Sequence, residues 1–179
     1  MYRLGDKVIY PGHGVAVVEQ ELEKMVDSKK LKFFKLKFLY KDMTVLVPID
    51  ASNNAIGIRP LSAKNEIEKA LNELYKETRK LENTDFTPSS WNKRNKSYQL
   101  KLQGGTLTDI ASIYRDLMHI AKYKELSFGE KNLLHVAEEL LLQEIVVVKG
   151  QDKETVMKEL RRPFKHFGSV PVVQSSPTV

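Results

Sequence analysis

One tryptophan and four cations stand where nucleic-acid chemistry would need them. Trp91 precedes Lys93, Arg94 and Lys96, Lys101 follows, and no Asp or Glu occurs between Asp85 and Asp109. An aromatic ring beside such a run can stack on a base or wedge between base steps while the cations hold phosphates. Solvated helix faces usually mix charge signs, so an acid-free basic stretch departs from the ordinary pattern. The competing reading is structural: Trp91 packs into a helical core and the cations form a solvated face.

Other constellations carry less chemistry. The Gly12-x-Gly14 turn lacks both the spacing and the Lys-Ser/Thr pair of a phosphate loop, and it reads as a hairpin. His13, His119, His135 and His166 have no zinc-type spacing, and the chain has no cysteine to join them. His13 is expected in a turn and the others on helix surfaces. Glu66, Glu68, Glu138 and Glu139 sit in helical patterns where solvated charge is the default. No nucleophile–base motif is present. The expectation is a protein without catalytic residues, metal or cofactor.

Bulk properties agree. Lys and Arg number 29 against 23 Asp and Glu, a formal net charge of +6 that favours polyanionic partners only modestly. With 41% hydrophobic and 29% charged residues, the chain falls among globular proteins. No run reaches the roughly 18 apolar residues of a membrane helix, and the start MYRLGDKVIY has no secretory pattern. A cytoplasmic location without membrane partners is expected.

The elements that would position these residues change period along the chain. Val8–Tyr10, a turn at Pro11-Gly12-His13-Gly14, Val15–Val18, a turn at Asp27-Ser28, and the alternation of Leu31, Phe33, Leu36 and Phe38 with Lys32, Lys35 and Lys37 predict short antiparallel strands. Met43–Val47, ended by Pro48, and Ile56–Ile58 complete a small barrel of SH3 or Tudor type. Ile67, Ala70, Leu71, Leu74 and Leu81 then predict a helix over 64–81. Asn83–Ser90 reads as a linker, with Ser89 or Ser90 capping a helix to about Leu102 that Gly104-Gly105 stops. Thr106 or Thr108 caps the next helix. Ser127-Phe128-Gly129-Glu130 is a capping box opening a long one, and a weaker helix spans about Asp152–Arg162. From Pro163 the polar, Pro- and Ser-containing sequence predicts a loose tail. The expected fold class is thus α+β, with domains at 1–62 and 63–162 and a flexible tail at 163–179.

These residues carry a resemblance. Leu4-Gly5-Asp6-Lys7-Val8-Ile9-Tyr10-Pro11-Gly12-His13-Gly14 resembles the start of the CarD family of bacterial transcription regulators, and Met43–Pro48 resembles that family's later strand. Trp91–Lys96, Lys101-Leu102, Gly104, Arg115-Asp116-Leu117 and Leu126–Lys131 are similar to its C-terminal domain. The likeness runs from about Tyr2 to about Val147. Transcription-repair coupling factors carry a module similar to the N-terminal part, but here the Trp-containing helical domain follows in place of a helicase motor.

The resemblance implies a monomeric, non-enzymatic regulator of transcription initiation, nucleoid-associated through RNA polymerase. Its Tudor-like domain would bind the polymerase β subunit, and its helical domain would meet promoter DNA in the minor groove with weak sequence specificity. Trp91 matches the tryptophan that wedges at the upstream edge of the open bubble and slows its collapse, and Lys96 matches a DNA-contacting lysine. Lys93, Arg94 and Lys101 join them as candidate DNA contacts. Lys24, Thr44, Leu46 and Pro48 are the candidate polymerase contacts. Lys24 and Leu46 stand where some members carry arginines, so the guanidinium fork is missing and the polymerase contact is expected to differ in detail and rely more on strand-edge pairing. Two other readings use the same residues: a free-standing architectural DNA-binding protein, and a protein–protein adaptor in which Trp91 is core.

Overall fold

A computed structural model describes residues 2–49 and 57–167. The chain divides into two compact units on either side of the Ser62–Ala63 bond. The first is a five-stranded antiparallel sheet and the second is helical, a Tudor-like β domain followed by an all-α domain.

The β unit comprises β1 (Lys7–Tyr10), β2 (Gly14–Val26), β3 (Lys29–Phe38), β4 (Thr44–Pro48) and β5 (Arg59–Pro60), in the spatial order β4-β3-β2-β1-β5. Alternation on β3 buries Phe34, Leu36 and Phe38 against Val8, Ala16, Val18 and Val47. The β2–β3 hairpin turns through Asp27 and Ser28, both at positive φ (47° and 65°), the geometry of a two-residue type I′ turn. A bulge between Val18 and Gln20 re-aims β2, so the hairpin's outer half leaves the core. There its flanks are tied by Lys35–Glu19, Lys32–Glu21 and Lys30–Glu23 ion pairs. These pairs are exposed and contribute little stability.

The helical unit comprises α1 (Lys64–Glu73), α2 (Pro88–Gly104), α3 (Leu107–Tyr123), α4 (Phe128–Lys149) and α5 (Lys153–Arg161). Its core is a continuous cluster that includes Ile67, Leu74, Ile113, Tyr114, Leu117, Leu141, Ile145 and Leu160. Start signals match local chemistry: Thr106 caps α3 through the Asp109 amide, and Ser127 and Glu130 close a capping box on α4. Gly105 and Gly150 end α2 and α4 in the left-handed conformation that glycine adopts without a Cβ penalty.

Several expectations need correction. The helix predicted over 64–81 stops at Glu73, where the Leu74, Tyr75 and Lys76 amides turn to carbonyls three residues back. Arg115 of α3 grips the Glu73 carboxylate there, a long-range tie with no local signal. The linker predicted over 83–90 is instead a 3-10 turn, Asn83–Phe86, followed directly by α2. Thr87, not Ser89 or Ser90, is the cap: its hydroxyl accepts the Ser90 amide, and Pro88 takes the first helical position, which needs no donor. The last strand falls at Arg59–Pro60, with Gly57 and Ile58 ahead of it and Ile56 outside the described residues.

The tail predicted from Pro163 begins later. Arg162–Phe167 forms a 3-10 segment whose Phe164 is 1% exposed and packs edge-on against Tyr114. His119, expected on a helix surface, lies against Phe164 and Phe167, and burial lowers its pKa. Glu138 is likewise no solvated carboxylate. It accepts from the Tyr114 hydroxyl and pairs with Arg161 through both oxygens. A buried carboxylate requires such partners.

Candidate nucleic-acid interface and partner-binding edge

Trp91 occupies the first turn of α2, capped by Thr87. Helical spacing aligns it with Asn95, Tyr98 and Leu102, and the last two are buried. Trp91 itself is half-buried, packed at the margin of the helical core. Its ring lies over Gly129 in the first turn of α4, where an added Cβ would meet Cζ2 at 3.3 Å. A side chain at residue 129 would therefore push the indole. The structure places Trp91 between the two sequence readings: it packs against the core and over Gly129 but is not fully buried.

The candidate cations do not form one surface. Lys93 and Lys96, three residues apart and exposed, share the outer face of α2 and make no ion pair or hydrogen bond among the described residues. Arg94 turns inward. It donates to the Asp85 carbonyl oxygen and lies 3.5 Å from the Glu130 carboxylate, too far for a hydrogen bond. Its Nε and second terminal nitrogen are buried without a hydrogen-bond partner among the described residues. Lys101 also turns inward and donates to the Ser112 hydroxyl at 2.7 Å.

Glu130, 2% exposed, is the electrostatic centre of this end of the unit. It accepts from the Ser127 amide and pairs with Lys124 as well as Arg94. Burial pushes its carboxyl up, but Lys124, the Ser127 amide and the Ser127 hydroxyl outweigh that and hold it below the usual carboxylate range. Sequence reasoning identified Glu130 as a capping residue and missed its second task of neutralising Arg94. That contact spans two helices and leaves no sequence spacing to read.

In the β unit, Lys24, Thr44, Leu46 and Pro48 share a face. They stand directly opposite Leu31, Lys37, Lys35 and Phe33, the β3 residues that alternate with the buried set. The β4 strand ends the sheet order. The bonds Phe38 N–H to Met43 O and Ile49 N–H to Lys32 O set the phase of its ladder. Alternation then turns the backbone groups of Val45 and Val47 toward β3 and those of Thr44, Leu46 and Pro48 away from it. Three of the four candidate polymerase contacts thus carry the backbone groups of the sheet edge, with Pro48 lacking a donor.

A Tudor-like β domain joined to an all-α domain, with a strand edge that no described strand covers in one and an anchored tryptophan in the other, defines the class of two-domain protein to which the chain corresponds. The family description "CarD-like/TRCF RID domain" matches residues 2–62, and "CarD, C-terminal domain" matches residues 68–161. A relative from Bacillus subtilis (strain 168), named "Putative transcription factor YdeB", is 31% identical over 150 residues, covering 84% of this chain and 94% of its own. The chain belongs to the CarD family.

Proposed function

We propose that this protein regulates transcription initiation: the β domain binds the RNA polymerase β subunit, and the helical domain stabilises the promoter open complex with Trp91 at the upstream edge of the bubble. Family membership supports a role in transcription. The observation that carries the reading further is Trp91 itself, a tryptophan packed over Gly129, with Lys93 and Lys96 exposed on the same helix and unpaired among the described residues. A ring that enters only distorted DNA binds the open state better than the closed one and shifts the equilibrium by that difference. The anchor on polymerase raises the effective concentration of this otherwise weak contact, so modest net charge suffices. No step here needs a catalytic group. DNA contacts would then fall to Trp91, Lys93 and Lys96. Arg94 and Lys101, bonded within the protein, would instead hold α2 in place.

The test pairs two measurements on Trp91→Ala. At a weakly melting promoter the open-complex lifetime falls about tenfold, equivalent to ~1.4 kcal/mol. Thermal stability falls by less than the ~3–5 kcal/mol typical of a fully buried tryptophan. An unchanged lifetime in a folded variant removes the wedge. Robust binding of the free protein to promoter DNA without polymerase would favour the architectural reading instead.

A further inference from the structure

Resting on the reading that the helical domain meets promoter DNA, we propose that Lys122, Arg162 and Lys165 form a second phosphate-binding surface, which grips the duplex beside the step that Trp91 enters. The chain has a second basic stretch without acids. No Asp or Glu occurs from Leu160 to Val179, while Arg161, Arg162, Lys165 and His166 fall within six residues. A loose tail would leave such cations without a fixed arrangement. Here they lie at the end of α5 and on the 3-10 segment Arg162–Phe167, which buried Phe164 fastens edge-on to Tyr114 with ring centres 5.7 Å apart.

The surrounding acids are already occupied. Glu154 and Glu159, the acids of α5, pair with Lys158 and Lys149, and Glu138 and Glu139 of α4 pair with Arg161 and Lys153. Asp116 of α3 pairs with Arg115. Arg162 and Lys165 are exposed and make no hydrogen bond or ion pair among the described residues. A helix dipole favours a cation at its C-terminus, and that alone would account for Arg162. It does not account for Lys165, which lies beyond the helix, or for Lys122, which belongs to α3. Lys122 is exposed, and its amine stands 4.9 Å from the centre of the Phe167 ring, which brings it to the same surface. Uncompensated cations from two elements make a positive patch whose complement is a polyanion.

Ring contacts tie this patch to the Trp91 end of the domain. The Lys122 amine also lies 5.9 Å from the centre of the Tyr123 ring, and Tyr123 meets Phe86 at 6.5 Å. Phe86 ends the turn that leads into α2. The occupant is the sugar-phosphate backbone of the duplex adjoining the bubble edge, the polyanion nearest to a DNA-bound Trp91. Phosphate contacts of this kind fix orientation on the duplex without reading sequence. A second grip would keep the domain from turning about a single inserted ring.

The experiment uses the full-length protein, polymerase holoenzyme and two promoter fragments, one with extended upstream duplex and one ending just upstream of the bubble edge. Arg162→Ala/Lys165→Ala melts like the parent, because both side chains are exposed. On the extended fragment it shortens the open-complex lifetime about threefold to tenfold and reduces the salt slope by about 2, at roughly 0.9 per phosphate contact. Adding Lys122→Ala reduces the slope by about one more. Arg162→Lys/Lys165→Arg, which keeps both charges, behaves like the parent. On the truncated fragment the alanine variant and the parent converge. If Trp91→Ala shortens the lifetime while the alanine variant alters neither lifetime nor slope, the patch is overturned and the Trp91 reading stands. If neither acts, the functional reading fails and the patch falls with it. A lifetime loss that persists on the truncated fragment would set these cations against an acidic protein surface and overturn the proposal.

Discussion

Glu130 shows how one residue can do local and distant work together. As a capping carboxylate it satisfies the Ser127 amide, and as a buried anion it offsets Lys124 and Arg94. Its pKa is held below the ordinary value of 4.5. A depressed folded-state pKa means its contribution is full above the unfolded value and is lost as pH falls through the folded one. Glu130→Gln keeps an acceptor for the cap but removes the charge. We expect it to cost about 1–3 kcal/mol near neutral pH. The gap between variant and parent should shrink as pH drops below 4.5. Urea unfolding near neutral pH and at about pH 3 reads this directly. A gap that does not change with pH would place the cost in packing rather than charge.

At the level of elements, β4 is the strand whose chemistry is open. The ladder phase puts the Leu46 N–H on the edge that no described strand covers and the Val45 N–H on β3. Proline is tolerated where no ladder donor is lost. Leu46→Pro should therefore keep the far-UV circular dichroism of the folded chain and weaken co-purification with the polymerase β subunit at least tenfold, because a pairing strand loses a backbone hydrogen bond and an apolar contact. Val45→Pro removes a ladder bond and should destabilise the β domain itself, by about 1–3 kcal/mol. If Leu46→Pro left polymerase binding intact, the contact would lie elsewhere on the domain than the β4 edge.

For the whole molecule, charge placement matters more than the total of +6. Four cations in the acid-free stretch suggest four phosphate contacts, but Arg94 and Lys101 face inward. Each phosphate contact contributes about −0.9 to the slope of log affinity against log salt. Replacing Lys93 and Lys96 together by alanine should therefore reduce the salt slope of open-complex stabilisation by about 2, without changing the melting temperature. Arg94→Ala or Lys101→Ala should do the reverse, lowering thermal stability and leaving the slope nearly unchanged. A slope reduced equally by all four single substitutions would show that the inward pair reaches DNA after all.

What the sequence determined by itself is local. Period-2 alternation, the Asp27-Ser28 reversal, the Ser127–Glu130 capping box and the Gly104-Gly105 stop depend on neighbours within a few residues, so they can be read without a fold. The family resemblance and the prominence of Trp91 were legible for a related reason: an odd aromatic in an acid-free stretch is a compositional signal. Tertiary structure decided what depends on contacts across the chain. The end of α1 rests on Arg115, 42 residues away from Glu73, and Phe164 is drawn out of an apparent tail because Tyr114 offers a ring to pack against. The division of the cations into an outward pair and an inward pair rests on Asp85, Glu130 and Ser112. A side chain's charge is written in the sequence, but the direction it faces is settled only once its neighbours are in place.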